Sequence, residues 1–171
     1  MKSLFLSTIT LFGCLASPLT LIAKEDSMPL AVGTQAPAFS LLSSDGDTVA
    51  LKDFAGKHYV VLIFYPGDQT PGCTAQLCAI RDDYSAFKEK NAKVFGVNPG
   101  DITSHKKFIA KQKYQFPLLV DENRAVAKAY GCDGWPMVKR TVYVIDTAGK
   151  IILAKRGRPA DEEILKAIPE K

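Results

Sequence analysis

The chain has 171 residues, 47% apolar and 23% charged, with 22 basic and 18 acidic side chains and four cysteines. That composition excludes a disordered tail, a coiled-coil rod and a polytopic membrane protein, and the length suffices for one domain that needs no disulfide scaffold. Its basic residues are interspersed with acids, so no nucleic-acid partner is expected.

Met1 and Lys2 precede 21 uncharged residues, Ser3 to Ala23, before Lys24-Glu25-Asp26. A basic start, an apolar run and a small residue before charges predict a signal peptide over 1–23, cut after Ala23. Two other readings stay open. Leu11-Phe12-Gly13-Cys14 resembles a lipobox that would lipidate Cys14, and 21 uncharged residues just suffice for an uncleaved membrane anchor. Each exports the domain, so the expected compartment is outside the cytoplasm, as in a periplasm, where disulfides persist. Removing the leader leaves 21 basic against 18 acidic residues.

Residues 24–36 read as an extended segment and 37–171 as one domain. Phe39–Leu42 and Thr48–Leu51 flank Asp45-Gly46, a β-hairpin signal. His58–Phe64 is uniformly β-branched and aromatic, a strand buried on both faces. Leu77, Ile80, Tyr84 and Phe87 recur at helical spacing and predict one amphipathic helix over Cys73–Lys90. Val94–Val97 reads as a strand and Asp101–Tyr114 as a helix whose charges suit its dipole. Phe116–Val120 reads as a strand that Pro117 confines to an edge or to the lead-in of a sheet. Glu122–Tyr130 is expected to be a helix stopped by Gly131. Thr141–Ile145 and Ile151–Ala154 form a second hairpin around Asp146–Gly149, and Asp161–Ile168 a last helix. Alternating strands and helices with a terminal hairpin predict an α/β fold with a mixed central sheet flanked by helices.

The chemistry concentrates between the first buried strand and the following helix, in Tyr65-Pro-Gly-Asp-Gln-Thr-Pro-Gly-Cys73 and on to Cys78. Thr70 suits the N-cap and Pro71 the first helical position, which puts Cys73 in the first turn. Backbone N–H groups and the helix dipole there favour an anion, so this cysteine is expected to ionise readily and to serve as a nucleophile. Five residues of unbroken helix separate Cys73 and Cys78 by about 7.5 Å of rise and roughly 8 to 9 Å between Cα atoms. A disulfide tolerates at most about 7 Å. The pair can bridge only if the start of the helix unwinds, which points away from a static staple and toward a pair that cycles. A structural disulfide is still the compartment's own suggestion. Zinc is disfavoured, because His58 sits in a strand and His105 on a different helix; the Cys-x-x-Cys of a helix-start reductase is absent.

Pro66-Gly-Asp-Gln-Thr70-Pro-Gly-Cys73 with Cys78 resembles the peroxiredoxin active-site loop, Pro-x-x-x-Thr-x-x-Cys, and the Cys-x4-Cys extension resembles its Q-type, or bacterioferritin comigratory protein, subfamily. The likeness runs from Pro37 to Ile168 through Phe116–Asp121, Ala125–Gly131 and Arg140–Asp146. It implies a thioredoxin-like fold with an N-terminal β-hairpin extension. It also implies that Cys73 attacks the peroxide and becomes a sulfenic acid, that the Thr70 hydroxyl hydrogen-bonds peroxide and thiolate, and that Pro66 shields the pocket. Arg140 would hold the thiolate and polarise the leaving oxygen, and Cys78 would resolve the sulfenic acid into a disulfide.

Arg140 precedes a buried strand and so can project from its end into the site, a solvated cation beside Lys139 being the other reading of its position, whereas Arg81, about 12 Å along the helix from Cys73, suits structural ion pairs. The resemblance further implies a monomer that uses no cofactor and no metal, takes hydrogen peroxide and organic hydroperoxides, and is recycled by a thioredoxin-like thiol reductant. Two rival functions are an exported thiol–disulfide oxidoreductase and a non-enzymatic holdase. Three departures stand out: Cys132 where an aliphatic residue is usual, Gly67 where a lysine is usual, and the export leader in a largely cytoplasmic subfamily.

Overall fold

A computed structural model describes residues 27–170. The predicted leader, Cys14 and its lipobox lie outside the described residues. Among those described, no helix is long and apolar enough to cross a membrane.

Seven strands form one sheet: β1 (Ser40–Ser43), β2 (Thr48–Ala50), β3 (Tyr59–Phe64), β4 (Ala92–Asn98), β5 (Leu118–Val120), β6 (Thr141–Ile145) and β7 (Ile151–Arg156). Their spatial order is β2-β1-β5-β4-β3-β6-β7. The three central strands β5, β4 and β3 run parallel, and both flanks are antiparallel. Parallel central strands must be covered on both faces, and the two cores obey the period of two along each strand. Val61, Ile63, Val94, Leu118, Val142 and Val144 pack on one face with Leu77, Phe87, Phe108 and Ile164. Val60, Leu62, Phe64, Val97, Leu119 and Tyr143 pack on the other with Phe39, Ala127 and Tyr130.

The helices are α1 (Pro71–Asp82), α2 (Tyr84–Glu89), α3 (Ile102–Gln112), α4 (Ala125–Ala129) and α5 (Asp161–Ala167). Three expectations need correction. The single helix expected over Cys73–Lys90 breaks at Asp83, whose φ of −94° and ψ of 11° end α1 and turn the chain into α2. The helix expected from Glu122 starts only at Ala125, because Asp121 turns its carboxylate onto the backbone N–H groups of Val126 and Ala127 and Arg124 adopts a left-handed φ of 54°. Of the two places that Pro117 allowed Phe116–Val120, the structure takes the lead-in: β5 lies between β1 and β4, and Pro117 stands just before its first residue paired with β4. His58 precedes β3 rather than belonging to it, and its Nδ1 lies 2.6 Å from Asn91 Oδ1.

Residues 27–36 cross the far edge of the sheet. Leu30 donates its N–H to the Tyr143 hydroxyl, Gly33 donates to Ile151, and Arg156 Nη2 donates to the carbonyls of Ser27 and Gly131. Gly131 ends α4 with a φ of 63°, and a Cβ there would run into the Met28 carbonyl, so both the left-handed turn and the crossing segment require glycine.

Asp161 opens α5 with Oδ2 buried and unpartnered among the described residues. Burial, with Asp83 and Glu162 adding repulsion, raises its carboxyl from 3.8 to about 6. A folded-state value above the unfolded one means that the native state holds this proton more tightly, so stability falls as pH rises from about 4 through about 6. Asp161→Asn is therefore expected to be more stable than the parent at neutral pH, with the gain fading below pH of about 4 in urea midpoints measured across that range.

Candidate active site

Strand register decides what meets at the site. β3 pairs with β6 antiparallel, with Phe64 opposite Thr141. The chain leaving β3 at Tyr65 and the chain arriving at β6 through Arg140 therefore lie at the same end of the sheet. From Tyr65 the loop passes Pro66 and reaches α1, whose N-cap is Thr70 and whose first residue is Pro71. Pro71 needs no N–H partner at that position, which is why the helix begins there.

Cys73 sits in the first turn of α1 with no exposed surface. Its thiol sulfur accepts a hydrogen bond at 3.2 Å from Arg140 Nη2. The other guanidinium nitrogen, Nη1, donates to Gln76 Oε1 at 2.6 Å. Gln76 lies three residues after Cys73 on the same helical face, so the helix that carries the sulfur also fixes the orientation of the cation. Arg140 also passes close to Gly72, where a Cβ would stand 3.4 Å from Nη2, an ordinary contact distance. The arrangement holds a sulfur nucleophile, a fixed positive charge and helix-start N–H groups inside a buried site. Those are the parts needed to displace at an electrophilic oxygen and to stabilise the anion that leaves.

Of the five residues that the sequence points to, Cys73 and Arg140 are in direct contact. Thr70 takes the expected N-cap position, but its side chain makes no capping hydrogen bond; the exposed hydroxyl donates to the Gly67 carbonyl at 3.3 Å. Pro66 is half-buried just past β3. Cys78 stands on α1 without a helix break between it and Cys73, and both thiols are free. Its Sγ lies 3.6 Å from Gln112 Oε1 and 3.8 Å from the Tyr114 hydroxyl, away from the Cys73–Arg140 contact. The unbroken helix keeps the two Cα atoms at roughly the 8 to 9 Å of ideal geometry, outside disulfide reach.

Arg81 makes the structural contacts that its distance from Cys73 implied, to Asp82 at 2.7 Å and to the Gln112 carbonyl at 2.7 Å. Cys132 is fully buried and donates to the Tyr130 carbonyl; burial raises its pKa, which makes it a poor nucleophile.

Two residues at the site were not singled out from the sequence. Gln76 could have been found by its three-residue spacing from Cys73. Asp68, inside the loop, has a side chain only 5% exposed and contacts Tyr65, Asn98, Ser104 and His105. Its partners are up to 37 residues away in sequence, and no local pattern announces them.

The AhpC/TSA family model matches residues 32–154. Peroxiredoxin Q, chloroplastic, of Suaeda salsa is 44% identical over 139 residues, 78% of this chain but 61% of that protein, so the chain spans less than two thirds of that relative. Peroxiredoxin Bcp of Bacillus subtilis is 35% identical over 151 residues, 82% of this chain and 94% of the relative. Among solved structures, peroxidoxin BcpB of Mycobacterium tuberculosis superposes with a TM-score of 0.75 at 29% identity, covering 80% of this chain and 95% of that one. With a thioredoxin-like fold, a matching family model and relatives of the Q and Bcp type, the chain belongs to the AhpC/TSA family.

Proposed function

We propose that this protein is a thiol-dependent peroxidase of the atypical two-cysteine kind. The observation that carries the reading is the 3.2 Å hydrogen bond from Arg140 Nη2 to the Sγ of Cys73, which is fully buried in the first turn of α1. The Cys73 thiolate attacks the nearer peroxide oxygen; the S–O bond forms as the O–O bond breaks. Cys73 is oxidised to a sulfenic acid, and the departing oxygen takes a proton and leaves as water or an alcohol. Arg140 stabilises the developing negative charge on the leaving oxygen, and the Thr70 hydroxyl swings from Gly67 to hydrogen-bond the peroxide. Pro66 keeps water off the sulfur.

The second half of the cycle joins Cys78 to the sulfenic sulfur, forming the Cys73–Cys78 disulfide and releasing water. A dithiol protein of the thioredoxin-like class then reduces that bond, with its own thiols becoming the disulfide. Both reacting cysteines lie in α1, so the cycle closes within one chain and requires no second copy. The depth of Cys73 favours substrates slender at the reacting end, hydrogen peroxide and small organic hydroperoxides. The predicted leader supports work outside the cytoplasm, in a periplasm or on a membrane if Cys14 is lipidated, where the reductant must also be exported.

Cys73→Ser is expected to abolish peroxide consumption with dithiothreitol as reductant; parental turnover in that variant would refute the mechanism. Cys78→Ser should still be oxidised by the first equivalent of peroxide, accumulate sulfenic acid detectable with a dimedone probe, and lose turnover with a thioredoxin-like donor. Arg140→Met is expected to lower the second-order rate constant for oxidation of Cys73 by about 10²-fold or more, the usual effect of removing one charge-stabilising donor, as measured by stopped flow.

A further inference from the structure

His105 is completely buried on the first turn of α3, and none of the chemistry above uses it. Its Nδ1 lies 2.8 Å from Asp68 Oδ2, while its Nε2 is buried with no partner among the described residues. The ring proton therefore belongs on Nδ1, which donates to the carboxylate. Asp68 Oδ2 also accepts from Ser104 Oγ at 2.6 Å, and Oδ1 accepts from the Tyr65 hydroxyl and from Asn98 Nδ2, each at 2.8 Å. The donors come from the ends of β3 and β4 and from the start of α3, and together they occupy both carboxylate oxygens. Burial acts to raise this carboxyl, but the hydrogen bonds from His105 and Ser104 outweigh it and hold it at about 2, so Asp68 is an anion throughout the working range.

The residues that follow are held far less firmly. Gln69 has a left-handed φ of 59°, an uncommon conformation for a non-glycine residue. Thr70 leaves the helix start without a side-chain cap, and Gly72 lies within the first turn. Further along, α1 is pinned again by the fully buried Ile80 and by Arg81 donating to the Gln112 carbonyl. The chain between Cys73 and these anchors must move if Cys73 and Cys78 are to bond. It can yield on the helix side of Asp68 without stranding a buried ion; on the loop side it would leave both the Asp68 carboxylate and the His105 N–H unpaired.

We propose that Asp68 and His105 form a stationary anchor for the active-site loop. This inference rests on the Cys73–Cys78 cycle proposed above. Unwinding begins at Gln69 and ends before Ile80, while residues 65–68 stay clamped to β4 and α3. His105 is thus a positioning residue: through Asp68 it keeps Pro66, Thr70 and Cys73 aligned with Arg140, so the helix rewinds into a reactive arrangement after each reduction.

Hydrogen exchange read by mass spectrometry tests this on the dithiol and disulfide forms of the full chain. The disulfide is made with diamide, whose azo group takes the two electrons and two protons that the thiols lose, so the map does not depend on peroxidase activity. Amides of 70–78 should lose protection in the disulfide form while those of 65–68 and 102–106 keep it. In His105→Leu, residues 65–68 should lose protection by on the order of tenfold to a hundredfold already in the dithiol form, the loss expected for one charge-assisted hydrogen bond. The same variant should oxidise Cys73 about tenfold more slowly. His105→Asn, whose amide N–H2 can reach Asp68 as Nδ1 does, should restore both properties.

The anchor is wrong if 65–68 and 102–106 open together with 70–78, if His105→Leu matches the parent, or if the Asn variant behaves like the Leu variant. The parental comparison needs no substitution and stands should a variant not fold. Failure of diamide to link Cys73 to Cys78 would instead overturn the proposed cycle, and exchange in the dithiol form would still judge the anchor.

Discussion

The hydrogen bond between Arg140 and Cys73 joins residues 67 positions apart, and most of the architecture can be understood as its support. The antiparallel pairing of β3 and β6 brings the chain after Phe64 and the chain before Thr141 to one end of the sheet. Pro71 starts α1 at that end and delivers Cys73 into the first turn, where helix N–H groups and the guanidinium converge. Gln76 then turns the guanidinium so that one nitrogen faces the sulfur. A half-buried cation gains from such partners, because a charge drawn away from water is costly unless it is paired and hydrogen-bonded. The site is therefore cross-braced: α1 holds the sulfur and, through Gln76, orients the cation that acts on it.

The same helix imposes the opposing constraint. As long as α1 is intact, Cys73 and Cys78 stay beyond disulfide reach, and Cys73 and Leu77 are sealed in the core. In the proposed cycle, the geometry suited to attack on peroxide is thus incompatible with resolution. The features that favour opening at the helix start are an unused cap hydroxyl and a left-handed Gln69, next to the firmly held Asp68. Unwinding confined to the start of α1 takes Cys73 and Leu77 out of one core but leaves the seven-stranded sheet and the core on its other face in place, so the motion costs only a part of the domain's stability.

Where the sequence was legible, the signal was periodicity or a local motif. The two-faced apolar run of β3, the Asp-Gly hairpin, the Pro-x-x-x-Thr-x-x-Cys loop and the spacing of the cysteines all depend on neighbouring residues, and each appears in the structure. The readings that failed depended on competition between local and distant partners. Asp83 looks like an ordinary polar helix position until its backbone turns α1 into α2. Asp121 looks like a helix-start acid, but it caps N–H groups five and six residues on and so delays α4. Pro117 left an edge and a lead-in both open, and only the sheet order decides for the lead-in, with the lost donor just outside the paired register of β5. The Asp68 network was invisible because its members lie on three separate stretches of chain, and only the fold brings them together.

The central claim is that peroxide oxidises Cys73 and Cys78 to a bond within one helix. Residues 58–81 contain both cysteines and lie between Lys57 and Arg81, so trypsin releases them as one peptide. Mapping that peptide after one equivalent of hydrogen peroxide, with free thiols alkylated at the quench, tests the claim most directly. The expected result is a peptide two hydrogens lighter than the reduced form, carrying no alkyl group, with Cys132 still alkylated after denaturation. A peptide that keeps both alkyl groups while peroxide is consumed, or one in which Cys132 is oxidised first, would contradict it.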